Sequence, residues 1–144
     1  MAYSTQPQVE GEFKDVTFTA STPVTDSDVA RFIAEADAEI DSKIGRKYVV
    51  PVTGATSIIL LRMISVILVS ERIKKILAVK TGDSKIDQDA ETSKEKTARK
   101  MLDQIVKGEM LLSDATAVSS GGGVRSYTYE NDIEPEFDVT QDQW

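Results

Sequence analysis

The sequence predicts a mainly α fold: a small helical bundle of about three main helices, one of them long and apolar, with an extended N-terminal arm and a C-terminal tail containing short β-strands. Three observations carry this. Apolar residues recur at spacings of three and four from Val29 to Ile44 and again from Ala98 to Val106, the period of one helix face. Between those stretches, Ile58 to Val69 is apolar almost all round, interrupted by Arg62. Both chain ends are polar, and the last one is strongly acidic. The 144 residues, 40% hydrophobic and 28% charged, suit one globular domain with extensions. We divide the chain into an extended N-terminal arm (1–24), a helical core domain (25–112) and a flexible acidic C-terminal docking tail (113–144).

The elements follow in order. In the arm, Val16-Thr17-Phe18-Thr19 alternates apolar and polar residues, which predicts one short strand. The first main helix starts near Thr25, whose hydroxyl can cap it, with Asp28 at the third position where an acid favours the helix dipole. Val29, Phe32, Ile33, Ala36, Ile40 and Ile44 share one face. Arg31, Glu35, Asp37, Glu39, Asp41 and Lys43 are placed on the other, solvated face. Gly45 stops the helix by tolerating a left-handed turn. Tyr48 to Val52 is extended, because Val50 precedes a proline. The long helix runs from Thr56 or Ser57 to about Lys80, with Gly82 as its stop. A domain of this size cannot fully bury such a helix, so part of it should meet another subunit or a partner. Ile59, Met63 and Ile67 are the candidates for packing in the core or between subunits. A polar linker covers 81–93, and the last helix runs from about Ser93 to Val106, ended by Gly108. Gly121-Gly122-Gly123 is a flexible joint. Val124 to Glu130 can form a strand, and the remainder is acidic.

Chemistry is narrowly bounded. The chain has no Cys and no His, which removes thiol nucleophiles, disulfides, the usual zinc ligands and imidazole bases. The glycine triplet lacks the lysine and hydroxyl residue of a phosphate loop. Asp83, Asp87, Asp89 and Glu91 lack the turn glycine and spacing of a calcium loop. No cofactor, metal site or catalytic residue is expected, and the protein reads as non-enzymatic. The net charge of −7 lies wholly in residues 109–144, which hold eight acids against the single base Arg125. A neutral body with an acidic tail argues against electrostatic wrapping of nucleic acid. The basic end of the long helix (Arg72, Lys74, Lys75, Lys80) reads as dipole complement and surface rather than a DNA contact. No apolar run reaches the ~20 residues of a membrane span, and synthesis in the cytoplasm is expected. Tyr127, Tyr129, Ile133, Phe137 and Trp144 stand among the tail acids as candidate partner-binding anchors, since Trp and Tyr commonly anchor interfaces.

The middle of the chain also carries a resemblance. Ile40-Asp41-Ser42-Lys43-Ile44-Gly45-Arg46-Lys47-Tyr48-Val49-Val50-Pro51-Val52, followed by a long apolar helix and a shorter one ending in Lys107-Gly108-Glu109, resembles the head–tail connector proteins of tailed bacteriophages. These are also called adaptors or head-completion proteins, and the likeness is to their Mu-like branch. Ile40, Asp41, Lys47, Tyr48 and Pro51 carry the motif over about residues 25–112. Lys47 stands where Arg is usual, and Val49 where Pro is frequent. The resemblance implies a virion protein of the neck, between capsid and tail, in a homo-oligomeric ring of about twelve copies beneath the portal protein. Such a ring extends the channel through which packaged DNA passes without sequence-specific binding, and offers a platform to a tail-side stopper or terminator protein. The alternatives are a tail terminator, stopper or tail-completion protein, which often hold more β structure, and a small cellular helical binding module.

Overall fold

The computed structural model describes residues 1–82 and 90–119. Its elements are α1 (Gln6–Glu10), α2 (Asp26–Ile44), α3 (Ala55–Lys80) and α4 (Ser93–Lys107). The 26-residue α3 is the axis, and α1, α2 and α4 all pack against it. Among the described residues the only β pairing is an isolated antiparallel bridge between Tyr48 and Ala117.

Local chemistry sets most helix ends. The Thr25 hydroxyl accepts from the Asp28 amide at 3.1 Å, while the Asp28 carboxylate accepts from the Thr25 amide at 3.1 Å. Thr92 and Glu95 repeat this reciprocal cap at the start of α4. Gly108 ends α4 in the left-handed region at φ 84°, where a side chain is strained. Gly45 ends α2 differently from expectation: its φ of −62° is right-handed. Glycine suits that position because a Cβ would stand 2.7 Å from the Asp41 carbonyl oxygen. The following connector is not one extended run either, since the Val50–Pro51 peptide is cis and the chain bends there.

The N-terminal residues depart most from the expected arm. They form no strand. Instead Thr5 and Gln8 cap the short α1, and Tyr3, Ser4, Val9, Phe18 and Val24 are buried in the common core. Phe13 meets Phe18 edge to face, with ring centroids 5.5 Å apart. The Glu10 carboxylate accepts from the Phe18 amide at 2.9 Å, closing the loop after α1. These residues therefore supply one wall of the bundle.

Residues 113–119 also lie on the body. Val49 N–H donates to Thr116 O at 2.8 Å, and Val118 N–H donates to Lys47 O at 2.9 Å. The expected tail strands, the glycine joint and the candidate anchors Tyr127, Tyr129, Ile133, Phe137 and Trp144 lie outside the described residues, as do Asp83, Asp87 and Asp89.

Candidate protein–protein interface

The motif residues of the middle segment serve as a clasp. Ile40 is fully buried on the core face of α2. Lys47 Nζ donates to the Ile105 carbonyl oxygen at 3.3 Å, a second donor to an oxygen that also accepts from the Gly108 amide at 3.2 Å at the end of α4. Tyr48 is buried, and its hydroxyl accepts from the Leu112 amide at 3.3 Å. Pro51 is exposed at the bend. Lys47 and Tyr48 thus join the end of α2, the end of α4 and the returning chain at 112–118. Asp114 extends the clasp to α3, whose N-cap Gly54 has no side chain to offer. The Asp114 carboxylate accepts from the Thr56 amide at 2.6 Å, from the Ser57 amide at 2.9 Å, and from the Ser57 hydroxyl. The Ser57 hydroxyl, then the Thr56 amide, holds Asp114 below the usual carboxylate range. A Cβ on Gly54 would come within 2.5 Å of this carboxylate, so the approach requires glycine.

A second polar cluster pins the N-terminus. Tyr3 N–H donates to Asp37 Oδ2 at 3.1 Å, and the Ser65 hydroxyl donates to Asp37 Oδ1 at 3.0 Å. The Ser4 and Ser65 hydroxyls are 2.8 Å apart. The Tyr3 hydroxyl donates to Asp41 Oδ1 at 2.5 Å and accepts from the Val52 amide at 3.0 Å. Asp37 is therefore a buried anchor and not part of a solvated face. Burial pushes its carboxyl above the ordinary range. Burial, helped by the bond to Asp41, likewise raises the Tyr3 phenol. The Tyr3, Ser4 and Ser65 hydroxyls and both Asp37 oxygens each have a structural partner.

The basic end of α3 is committed within the chain. Arg72 pairs with Glu35 and lies 4.4 Å from the Phe32 ring centroid. Lys74 pairs with Glu71 at 2.9 Å, and Lys75 with Glu95 at 2.6 Å. Lys80 Nζ donates to the Pro23 carbonyl oxygen. Among the described residues no group of three or more Asp, Glu, His or Cys could hold a metal ion.

What remains uncommitted is apolar. The structure shelters more of α3 than its composition suggests: Leu61, Ile64, Val69 and Ile73 are covered by the chain's own helices. A strip is left over. Ile59 is 61% and Met63 43% exposed, and Ile67 continues the same i, i+4 row in a half-buried position. With Val66 they floor a groove of about 620 Å³ between α3 and the start of α4. Arg62 and Lys94 stand on it as cations, and Glu12 is its single acid. The Arg62 Nε is buried and lacks a hydrogen-bond partner among the described residues. An apolar floor beside an unpaired buried donor is chemistry suited to a peptide or protein face, which can cover the one and accept from the other.

A family model described as "Bacteriophage Mu, Gp36" matches residues 3–126. The chain belongs to the bacteriophage Mu Gp36 family. The match spans the buried N-terminal residues from Tyr3 onward as well as the helical body. No curated protein and no solved structure matches the chain. Membership in the Gp36 family makes this a phage protein and suggests a structural or assembly role in association with the virion. No described helix is long and apolar enough to cross a membrane.

Sequence reasoning missed the Tyr3–Asp37–Ser65 cluster and the Asp114 cap. A signal for the first existed: Thr5-x-x-Gln8, with Pro7 in the first turn, is a capping box. Asp37 also falls four residues after Ile33 and three before Ile40, on the edge of the core face.

Proposed function

We propose that this Gp36-family protein is a head–tail connector, a non-enzymatic neck protein that forms a ring of about a dozen copies beneath the portal. The ring extends the DNA channel and gives the tail, or its stopper protein, a platform. The observation that carries the reading is the row of exposed Ile59 and Met63 and half-buried Ile67 on α3, whose other large apolar side chains, Val79 apart, are buried or half-buried. A ring of repeated heterologous contacts covers such a row on every copy at once. The acidic tail, with Tyr127, Tyr129, Ile133, Phe137 and Trp144 as anchors, docks on the portal or an adjacent subunit during assembly. Like charge on packaged DNA keeps that tail from adhering to phosphate. The helical body supports a connector over a terminator or stopper, which carry more β structure.

The test is to mix the protein with portal and image the complex by electron microscopy. A ring added at the portal vertex is the expected result, and portal particles left bare overturn the proposal. Met63→Glu, at an exposed position, should keep wild-type helicity yet fail to join the ring. Deleting residues 121–144 should weaken portal attachment, and unchanged attachment would remove the tail from the docking role.

A further inference from the structure

The groove floored by Ile59, Met63, Val66 and Ile67 has an unusual rim for an apolar surface. Arg62 and Lys94 form no ion pair among the described residues, whereas the neighbouring Lys74, Lys75 and Arg99 each do. Arg62 Nε in addition faces no acceptor. Two things are therefore left unmet in a groove whose single acid is Glu12: cover for its apolar floor, and partners for its two unpaired cations. The chain carries a segment with both. From Asp132 to Val139 the sequence alternates without a break. Asp132, Glu134, Glu136 and Asp138 are acids, and each is followed by an apolar residue: Ile133, Pro135, Phe137 and Val139. In an extended chain such alternation places all the acids on one side and the apolar residues on the other.

We propose that this groove is the seat of the chain's own acidic segment, residues 130–139, docked in the free protein. The apolar side lies on Ile59, Met63 and Ile67. The carboxylates on the other side sit under the influence of Lys94, and a peptide carbonyl accepts from Arg62 Nε. Charge complementarity selects this occupant over a plain hydrophobic one, because a purely apolar partner would leave the Arg62 donor unsatisfied. Position supports docking within one chain. Asp114 is fixed on the first turn of α3, one turn before Ile59, and the groove floor runs only ~12 Å along the helix. The eleven steps from Ser119 to Glu130 can span ~36 Å. Tethering at such range gives effective concentrations in the millimolar range, which favours the attached segment over any free competitor. The segment then covers the greasy row until an assembly partner displaces it. This docking does not depend on the ring: a chain that seats its own tail and ignores the portal would keep this inference and lose the function proposed above.

The full-length chain tests it by zero-length carbodiimide cross-linking, which joins a lysine amine to a carboxylate in contact with it. An equal mixture of unlabelled and isotope-labelled copies is analysed by mass spectrometry. The expected product links Lys94 to carboxylates between Glu130 and Asp138 within single copies. In Met63→Glu, and separately in Ile59→Asp, this product should fall by about tenfold or more with helicity unchanged. Absence of the link in the wild-type chain overturns the inference, as does a yield that neither variant lowers. Links that join labelled to unlabelled copies also overturn it, assigning the groove to a neighbour's tail.

Discussion

Replacing Tyr3 by Phe tests whether the N-terminal residues belong to the folded body. The substitution keeps a buried ring and deletes one hydroxyl, which donates to Asp41 at 2.5 Å and accepts from the Val52 amide at 3.0 Å. The two losses differ. Asp41 is half-exposed, so water can replace the phenol, and the cost is about 0.5–1.5 kcal/mol. Val52 is buried, and its stranded amide costs about 1–3 kcal/mol. Together they predict a loss of about 1.5–4.5 kcal/mol. Urea unfolding followed by far-ultraviolet circular dichroism measures it, with the midpoint falling and the slope unchanged. The melting temperature should drop by roughly 3 °C per kcal/mol in a chain of this length. A Tyr3→Phe protein within about 0.5 kcal/mol of wild type would refute the reasoning, because changes of that size are typical of surface sites.

Other outcomes follow from the same structure. Glu95→Gln strips the charge from a pair 2.6 Å apart whose side chains are 13% and 8% exposed, stranding Lys75. It should cost about 2–3 kcal/mol in chemical denaturation, and adding Lys75→Met should restore most of that. Gly108→Ala puts a side chain at φ 84° and 2.7 Å from Lys47 Nζ; a loss of about 1–2 kcal/mol by the same assay is expected. Burial holds the Asp37 carboxyl above its ordinary range, so the folded protein binds that proton more tightly than the unfolded chain. The stability of wild type relative to Asp37→Asn should therefore be greatest near about pH 4 and decline toward about pH 7. A difference that grows with rising pH would contradict the assignment.

The parts of this fold that were legible in the sequence are those with local causes. Thr25 and Asp28 are three residues apart and cap one another, and Gly108 sits where α4 must stop. The period of α2 placed Ile33, Ile40 and Ile44 in the core, where they are. The N-terminal residues were misread because their partners are distant in sequence. Tyr3 is held by Asp37 and Asp41, 34 and 38 residues away, and a five-residue helix shows no period. Asp37 was misplaced by its charge, although its spacing from Ile33 and Ile40 put it at the edge of the buried face. The candidate interface was legible in part. An excess of apolar residues on α3 was visible, and Ile59, Met63 and Ile67 share the strip left open. How narrow that strip is depends on cover from residues 1–24, whose capping box Thr5-x-x-Gln8 marks the start of α1 but not where it packs. The unpaired Arg62 beside it is a matter of which neighbours arrive, and three-dimensional packing alone decides that.

The clasp of Lys47, Tyr48 and Asp114 has a consequence for how copies can be stacked. It fastens the last described residues to the head of α3, while Lys80 at the foot, ~38 Å away along the axis, bonds to Pro23 just before α2. The chain is thereby given a top and a bottom with different fittings. Bodies of that kind, set side by side around an axis, all lean the same way, and the two rims of their circle cannot be exchanged. The collar proposed above would need that one-way character, and the single chain already has it.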